Sequence, residues 1–537
     1  MTSILALAAG AFLLPAALAQ PVSTAAAVVE TVGPARLTVG TVHVVVHDVF
    51  DTEDPAEDKW LFRRANDMHR NTNDVVVRRE LLFKEGDLYD ARLLEETERN
   101  LRRLPIFRLV RVEAAPAGTG AMDVTVHVYD NWTITPTTSF KRAGGTYAWK
   151  VGLKDSNLLG YGKTAGAVYG KTFTQIEKNV FYEDPQLFGR RLTAGAGIFE
   201  GGEARTYNVN LAKPFYSSTA QEAMGFAGSY RDEKIFHDDA VVPFGHVRQR
   251  TKEARVFYGR SLGSTPSMVR RGVFTAGYSR SRIEAVPGES VIKSDPLSIE
   301  TLLEALFTAE EQAFVKEQNI KRLYRDEDIN LGWTGAMSFR MSPRFLGSST
   351  DSYDQRLSIG KGVPFGSGHF FKGETGLTTR FSGDVYTSVV WGLNGEYYKR
   401  LLPWNTLATH ASFDYGHGLN PSNALLLGEL EGLRGYGLYH TSGNRRFLFN
   451  LEDRLFLVDN LFRLVTLGGV LFFDAGSTWM GETVAFGSWK TSVGAGLRVG
   501  TSRGTGGSPL RLDLAYAFKE NGMPSRWSLS ILTGQAF

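Results

Sequence analysis

From residue 132 to residue 537 the chain repeats one pattern, short runs of alternating apolar and polar residues broken by turns. In residues 489–500, Trp489, Thr491, Val493, Ala495 and Leu497 take one parity, while Lys490, Ser492, Gly494, Gly496 and Arg498 take the other. Residues 510–518 set Leu510, Leu512, Leu514, Tyr516 and Phe518 on one face, with Arg511 and Asp513 opposite. A period of two marks a strand, because successive side chains leave the backbone on opposite sides. A soluble sandwich gives the same alternation with its apolar face turned inward. Here hairpin follows hairpin without a second layer to bury that face, and closure into a barrel removes the exposed sheet edges. The chain therefore reads as a transmembrane antiparallel β-barrel, greasy side chains outward to lipid, glycine and charge inward. After residue 19 no apolar run reaches the ~18 residues of a spanning helix, so any membrane crossing is made by strands.

Composition narrows the chemistry. The 537 residues contain no cysteine, which excludes disulfides, thiol catalysis and Cys-type zinc sites. A net charge of +3, from 60 basic and 57 acidic residues, leaves no nucleic-acid footprint. Residues 1–19 read as a secretory signal: residues 5–18 are almost wholly apolar and Ala17-Leu18-Ala19 fits a cleavage site, although no Lys or Arg precedes the apolar run. Residues 20–40 look like a flexible leader.

Residues 41–131 have a different rhythm. A strand at 42–46 is followed by helices at 59–69 and 74–84 and by a third begun by Asp90 as N-cap, with Leu93, Leu94, Leu101 and Leu104 near one face. Strands at 107–114 and 122–129 flank the turn Gly118-Thr119-Gly120, so the segment is a small α+β domain. Its Leu82-Phe83-Lys84-Glu85-Gly86-Asp87-Leu88-Tyr89-Asp90 resembles the helix boundary of a POTRA domain.

Within the barrel, Asp155-Ser156-Asn157-Leu158-Leu159-Gly160, Asp184-Pro185-Gln186-Leu187-Phe188-Gly189 and Ser342-Pro343-Arg344-Phe345-Leu346-Gly347 share a phrase and are expected as periplasmic turns. Residues 286–326 interrupt the alternation, and Ile299, Leu302, Leu303, Leu306 and Phe307 are spaced for an amphipathic helix, expected as an extracellular insertion. Residues 416–445 form a long polar loop containing Gly432-Leu433-Arg434-Gly435-Tyr436. On the strand that follows, Glu452 shares the luminal parity of Arg446 and Asn450, and on the next Asp474 shares that of Phe472 and Gly476. A guanidinium serves two carboxylates through its fixed fork of donors, so the loop is expected to fold into a partly water-filled lumen and lock there through Arg434.

This set resembles the BamA/TamA-like superfamily of outer-membrane assembly and two-partner secretion proteins. The family's loop motif is met by Leu433-Arg434-Gly435-Tyr436, its acidic partners by Glu452 and Asp474, and its supporting strand positions by Phe472 and Gly476. The resemblance implies one POTRA domain followed by a barrel of roughly sixteen strands, whereas direct reading of the runs gives about eighteen. It also implies a weakly closed seam between the first and last strands, near 133–142 and 526–537, with Trp527, Leu529, Ile531 and Phe537 as the C-terminal strand signal. The implied setting is the outer membrane of a double-membraned bacterium. The partners are its lipid, a periplasmic or unfolded client polypeptide, and an accessory periplasmic protein at the POTRA domain. The function is insertion or passage of that client through the barrel, with a passive channel and a barrel hydrolase as the alternatives. Gly259-Arg260-Ser261-Leu262-Gly263 matches a nucleophile-elbow string but lies between strand patterns with no following helix. The histidines show no ligand spacing, so no enzyme, metal or cofactor is expected.

Overall fold

A computed structural model describes residues 37–537 apart from 119, 144–145, 172–175, 202–203, 240–241, 286–296, 384–385, 420–423, 438, 482–488, 505–508 and 519–524. The expected signal and most of the leader lie outside the described residues. The N-terminal domain is a three-stranded sheet ordered β1 (Thr38–His47), β3 (Ala121–Asp130), β2 (Phe107–Ala117), with β1 parallel and β2 antiparallel to the central strand. The first strand starts at Thr38 rather than 42, with a bulge between Val39 and Val42 that let the glycine at position 40 pass for leader.

Helices α1 (Trp60–Met68), α2 (Asp74–Glu80) and α3 (Ala91–Arg103) lie between β1 and β2. The side chains of Asn73 and Asp90 cap α2 and α3 by accepting from the amides of Val75 and Arg92, each at 3.0 Å, which satisfies donors a helix start leaves open. Alternate residues of β3 (Val124, Val126, Val128) are fully buried against Val76, Val77, Leu94 and Leu101. Asp130, with no solvent exposure, accepts from the Thr72 amide at 2.7 Å and its hydroxyl at 2.8 Å, fastening the last residue of the sheet to the start of α2.

The described residues of the remaining chain close into a barrel of twenty antiparallel strands from Ile134–Ala143 to Arg526–Thr533, in which the last strand lies beside the first. The counts of sixteen and eighteen are therefore both too low, and one of the missed strands lies in residues 286–326. No helix is found in their described part: Leu297–Glu311 is a barrel strand and Phe314–Gln318 pairs with Asp326–Asn330 in a separate hairpin. Thr301, Leu303, Ala305 and Phe307 face outward, while Leu302 and Leu306 face the lumen, where Leu302 is buried against Gly277. A strand apolar on both faces puts leucines at spacings of three and four, which imitates a helix.

The turn phrases divide as well. Gly160 accepts from the Asn73 amide at 2.8 Å and Gln186 donates to the Val76 carbonyl at 3.3 Å, so the first two turns lie at the barrel end occupied by the N-terminal domain. The third does not. Thr334–Ser342 starts opposite Glu310, at that same proximal end, and runs away from it, so the turn at 343–347 is distal. Similar strings of Pro, Phe, Leu and Gly make a tight turn at either end.

Leu101 is fully buried in the core of the N-terminal domain. Leu101→Ala is expected to destabilise that domain by about 2–5 kcal/mol. Limited proteolysis should then cut within 41–131 while the barrel keeps its heat-dependent gel mobility; loss of both together would mean the domain and the barrel fold as one unit.

Candidate functional site

The loop between Asn405–His417 and Arg445–Leu461 enters the distal mouth of the barrel, and Leu425–Leu427 pairs with Thr441–Gly443 in a short ribbon. Two glycines set its tip. Gly432 and Gly435 have φ of +105° and +89°, a region costly for other residues, and a Cβ on Gly435 would lie 3.2 Å from that of Ala515. Leu433 between them is fully buried with Leu427, Leu448 and Ala517. Tyr436 donates its hydroxyl to the Thr491 carbonyl at 2.9 Å and accepts from the Thr491 amide at 3.0 Å. A Cβ on Gly476 would lie 3.0 Å from Leu427, so its absence leaves the seat for that side chain.

These contacts aim Arg434 at the wall. Its Nε and Nη2 donate to the two oxygens of Asp474 at 2.8 and 2.7 Å, and Nη1 donates to Glu452 at 2.6 Å. The guanidinium lies 3.6 Å from the centre of the Phe472 ring, close enough for a cation–π contribution. Arg434 is 1% exposed and both carboxylates 0%, so the site is dry, not part of a water-filled lumen. Asn450 donates to Asp474 at 2.8 Å and, from the same nitrogen, to the Gly432 carbonyl at 2.7 Å, so the wall holds the loop backbone as well as the arginine.

The ion cluster is wider than the sequence reading had it. Arg454 donates to the other oxygen of Glu452 at 2.8 Å, and Arg498 to Asp513 at 2.5 Å. Asp513 also stands 3.6 Å from Arg434 and 3.2 Å from Arg511. Arg454, Arg498, Arg511 and Asp513 were each legible as luminal by parity, but only the strand register shows that they meet. Trp527, Leu529 and Ile531 are at least half exposed on the outer face of the last strand. Phe537 is not on that face. Gly534, at φ +88°, turns the chain after Thr533, and Phe537 enters the lumen, its ring 4.7 Å from the Arg454 guanidinium and stacked on His410 at 5.4 Å.

The hairpin at 314–330 closes the proximal mouth. Its tip reaches the same cluster, the Ile320 carbonyl accepting from Arg454 at 2.5 Å. Arg325 donates to the carbonyls of Thr501 and Gly504 at 3.2 and 3.0 Å, and burial with Arg322 and Arg503 nearby lowers its pKa to about 10, still charged at neutral pH. The hairpin's outer end grips the N-terminal domain. Arg102 of α3 makes a fork to Asp328 at 2.9 and 3.1 Å, and Phe314 lies 4.9 Å from the Arg99 guanidinium. Other proximal turns dock on the same domain: Ser218 donates amide and hydroxyl to Glu96, each at 2.6 Å, and Arg191 donates to the carbonyls of Arg79 and Leu81. Arg503 pairs with the buried Glu57.

Among the described residues no group of three or more side chains is placed to hold a metal ion, and no helix is long and apolar enough to cross a membrane. Ser261 of the elbow string ends a strand and donates to Ser264 at 2.8 Å.

A family profile described as "Surface antigen variable number repeat", POTRA, matches residues 69–130, which leaves out β1 and α1. No curated protein sequence matches the chain. Among solved structures it is similar to BamA from Haemophilus ducreyi lacking POTRA domains 1-3, at 13% identity and a TM-score of 0.38, covering 92% of this chain and 85% of that one. It is also similar to CdiB from Acinetobacter baumannii (11% identity, TM-score 0.45, 93% and 74% covered) and CdiB from Escherichia coli (13%, 0.44, 93% and 76%). The chain thus sets a POTRA domain ahead of a closed antiparallel β-barrel, the order of parts expected from the sequence resemblance.

Arg434→Ala strips two buried carboxylates of their partner, which costs about 3–5 kcal/mol, and is expected to release the loop while the barrel stays assembled. Asp474→Asn should be milder, because an amide oxygen still accepts from the guanidinium. The check is a double-mutant cycle with Asp474→Ala, read by protease sensitivity of the loop. Additivity within about 0.3–0.5 kcal/mol would mean that the two residues do not interact.

Proposed function

We propose that the protein is an outer-membrane assembly or translocation factor. A client polypeptide adds a strand to an edge of the POTRA sheet in the periplasm and is inserted or passed at the barrel, whose loop and hairpin change position as it goes. The observation that carries this reading is that the POTRA domain and the proximal hairpin are clamped together by Arg102 and Asp328, while the hairpin tip sits in the ion cluster that holds the distal loop. A pore for solutes has no use for a receiving domain bolted to its plug. The outward apolar face of the strands supports a membrane setting, because Val256 and Phe274 on that face are 53% and 51% exposed. Arg434, Glu452 and Asp474 serve as the latch of the loop, with Leu433, Gly435 and Tyr436 seating it.

Two measurements test the proposal. The protein is expected in the outer-membrane fraction, resisting urea and running heat-modifiably, with small or erratic conductance in planar bilayers. Breaking the clamp with Asp328→Ala should raise conductance. A steady, large conductance of the unaltered protein would favour the passive channel. Photocrosslinking from β1 and β2 should capture a polypeptide; capture of lipid alone would overturn the client assignment.

A further inference from the structure

Strand register fixes which side chains leave the barrel wall outward. Hydrogen-bonded partners face the same side, and the pairing runs without a shift from Glu222–Asp239 through Val242–Ser261, Met268–Ala285 and Leu297–Glu311 to Thr334–Ser342, apart from a slip at the distal tip beyond His237. On the middle three of these strands Leu302 marks the luminal side, so Val256, Tyr258, Phe274 and Tyr278 face outward. The apolar stretch is bounded by charge at both ends. On Val242–Ser261 the outward positions run from Arg260 through Tyr258, Val256 and Ala254 to Lys252. The eight residue steps from Arg260 to Lys252 span roughly 26 Å along a strand, or about 20 Å along the normal at a tilt of 35–45°, close to the height of a lipid belt. Lys252 therefore sits at the distal rim, where headgroups begin.

What stands at that rim is out of keeping with an ordinary sheet surface. Lys252 is directly opposite Arg280, and Arg250 directly opposite Arg282. Like charges in directly opposed positions destabilise a sheet, and here two such rungs follow each other. The second rung is partly neutralised: Arg250 donates to Glu284 at 2.9 Å and stands 3.3 Å from Asp232, which is itself held by Arg248 at 2.6 Å. The first is not. Lys252 and Arg280 are exposed and have no ion pair among the described residues. With Tyr230, Asp232, Arg250 and Arg282 they line an outward concavity of about 630 Å³.

We propose that this concavity binds the phosphate-bearing headgroup of an anionic lipid in the distal leaflet, with Lys252 and Arg280 as the phosphate ligands and Arg250 and Arg282 above them. The lipid is the occupant because the same outward face continues below the cations as the apolar belt, so a molecule seated there has its chains already in place. Opposed cations are tolerated when an anion lies between them. The inference rests on the membrane setting given under Proposed function and adds a site to it.

The test uses the full-length protein in vesicles of phosphatidylcholine alone, of phosphatidylcholine with a diphosphorylated acylated glycolipid, of phosphatidylcholine with the same glycolipid stripped of phosphate, and of phosphatidylcholine with added inorganic phosphate. The readouts are the temperature at which the folded gel band is lost and the glycolipid retained on purification. The unaltered protein should be stabilised, and should retain lipid, only with the phosphorylated glycolipid. Lys252→Gln with Arg280→Gln should weaken retention by about tenfold or more while leaving the protein as stable or more stable in phosphatidylcholine, since a like-charge rung is gone. Arg260→Gln, at the proximal rim, should change neither. Equal stabilisation by the phosphate-free glycolipid, or by inorganic phosphate alone, overturns the proposal without reference to any variant. Undiminished retention by the double variant overturns the residue assignment. A chain that forms no heat-modifiable band in phosphatidylcholine fails the membrane reading itself, and the lipid site falls with it.

Discussion

A buried guanidinium shared by two buried carboxylates is the contact on which the rest of the lumen depends. Taking charges out of water is expensive, and an ion pair offsets that only when its geometry is good and the remaining donors and acceptors are satisfied. At Arg434 the fork meets Asp474 with two donors and Glu452 with a third, an aromatic face lies beneath, and Asn450 supplies a further donor to Asp474. The arrangement is stable only as a whole. Without the loop, Asp474 and Glu452 would be left buried with less compensation, which favours the seated position. Lysine could not replace the arginine, since a point charge on a flexible stem cannot serve both carboxylates in a fixed plane.

Glu452 makes the site more than a latch. One oxygen accepts from Arg434 on the distal loop and the other from Arg454, whose guanidinium also binds the hairpin tip at Ile320 and the carbonyl oxygen of Phe537. From Ile320 the hairpin runs to Asp328 and so to Arg102 of the POTRA domain. The POTRA domain and the distal loop are thus joined by a short series of charged contacts. Spatial continuity alone does not establish coupling. The physical basis for it here is narrower: Arg454 binds both the hairpin tip and Glu452, and Glu452 in turn holds Arg434.

Much of this is legible in the sequence alone, and the departures from it have local causes. Alternation gave the strands, and parity gave Glu452 and Asp474 as luminal, because a period of two leaves a residue only two directions. Parity also sets Arg498, Arg511 and Asp513 on the polar face, and the same period extended past Glu452 reaches Arg454. It could not say that they converge, since convergence depends on register and stagger across strands distant in sequence. The segment at 297–311 was misread because Leu302 and Leu306 face the lumen as apolar residues, contrary to the polar interior that the barrel rule assumes. Phe537 departs from its expected place because a terminal aromatic after an alternating strand reads as one more rung, whereas the glycine at 534 turns the chain inward. Both errors come from treating the lumen as water, when in this barrel it is a packed interior.

That interior is lopsided. Barrel diameter grows with strand number, and twenty strands enclose a space that side chains alone do not fill. The loop fills it from the distal side and the hairpin from the proximal side, and both are held by strands in the C-terminal part of the chain. Asn450 and Glu452 lie on one strand, Asp474 on the next, Thr491 and Arg498 on the third, Asp513 on the fourth. The last strand joins them through Arg526, which donates to the Gly435 carbonyl at 3.1 Å. A seated loop therefore binds the last five strands into a block, ending at the strand that lies beside the first. Gly435 follows Arg434 directly, so the contact that reaches the last strand rests on the same loop tip that the arginine anchors in the lumen.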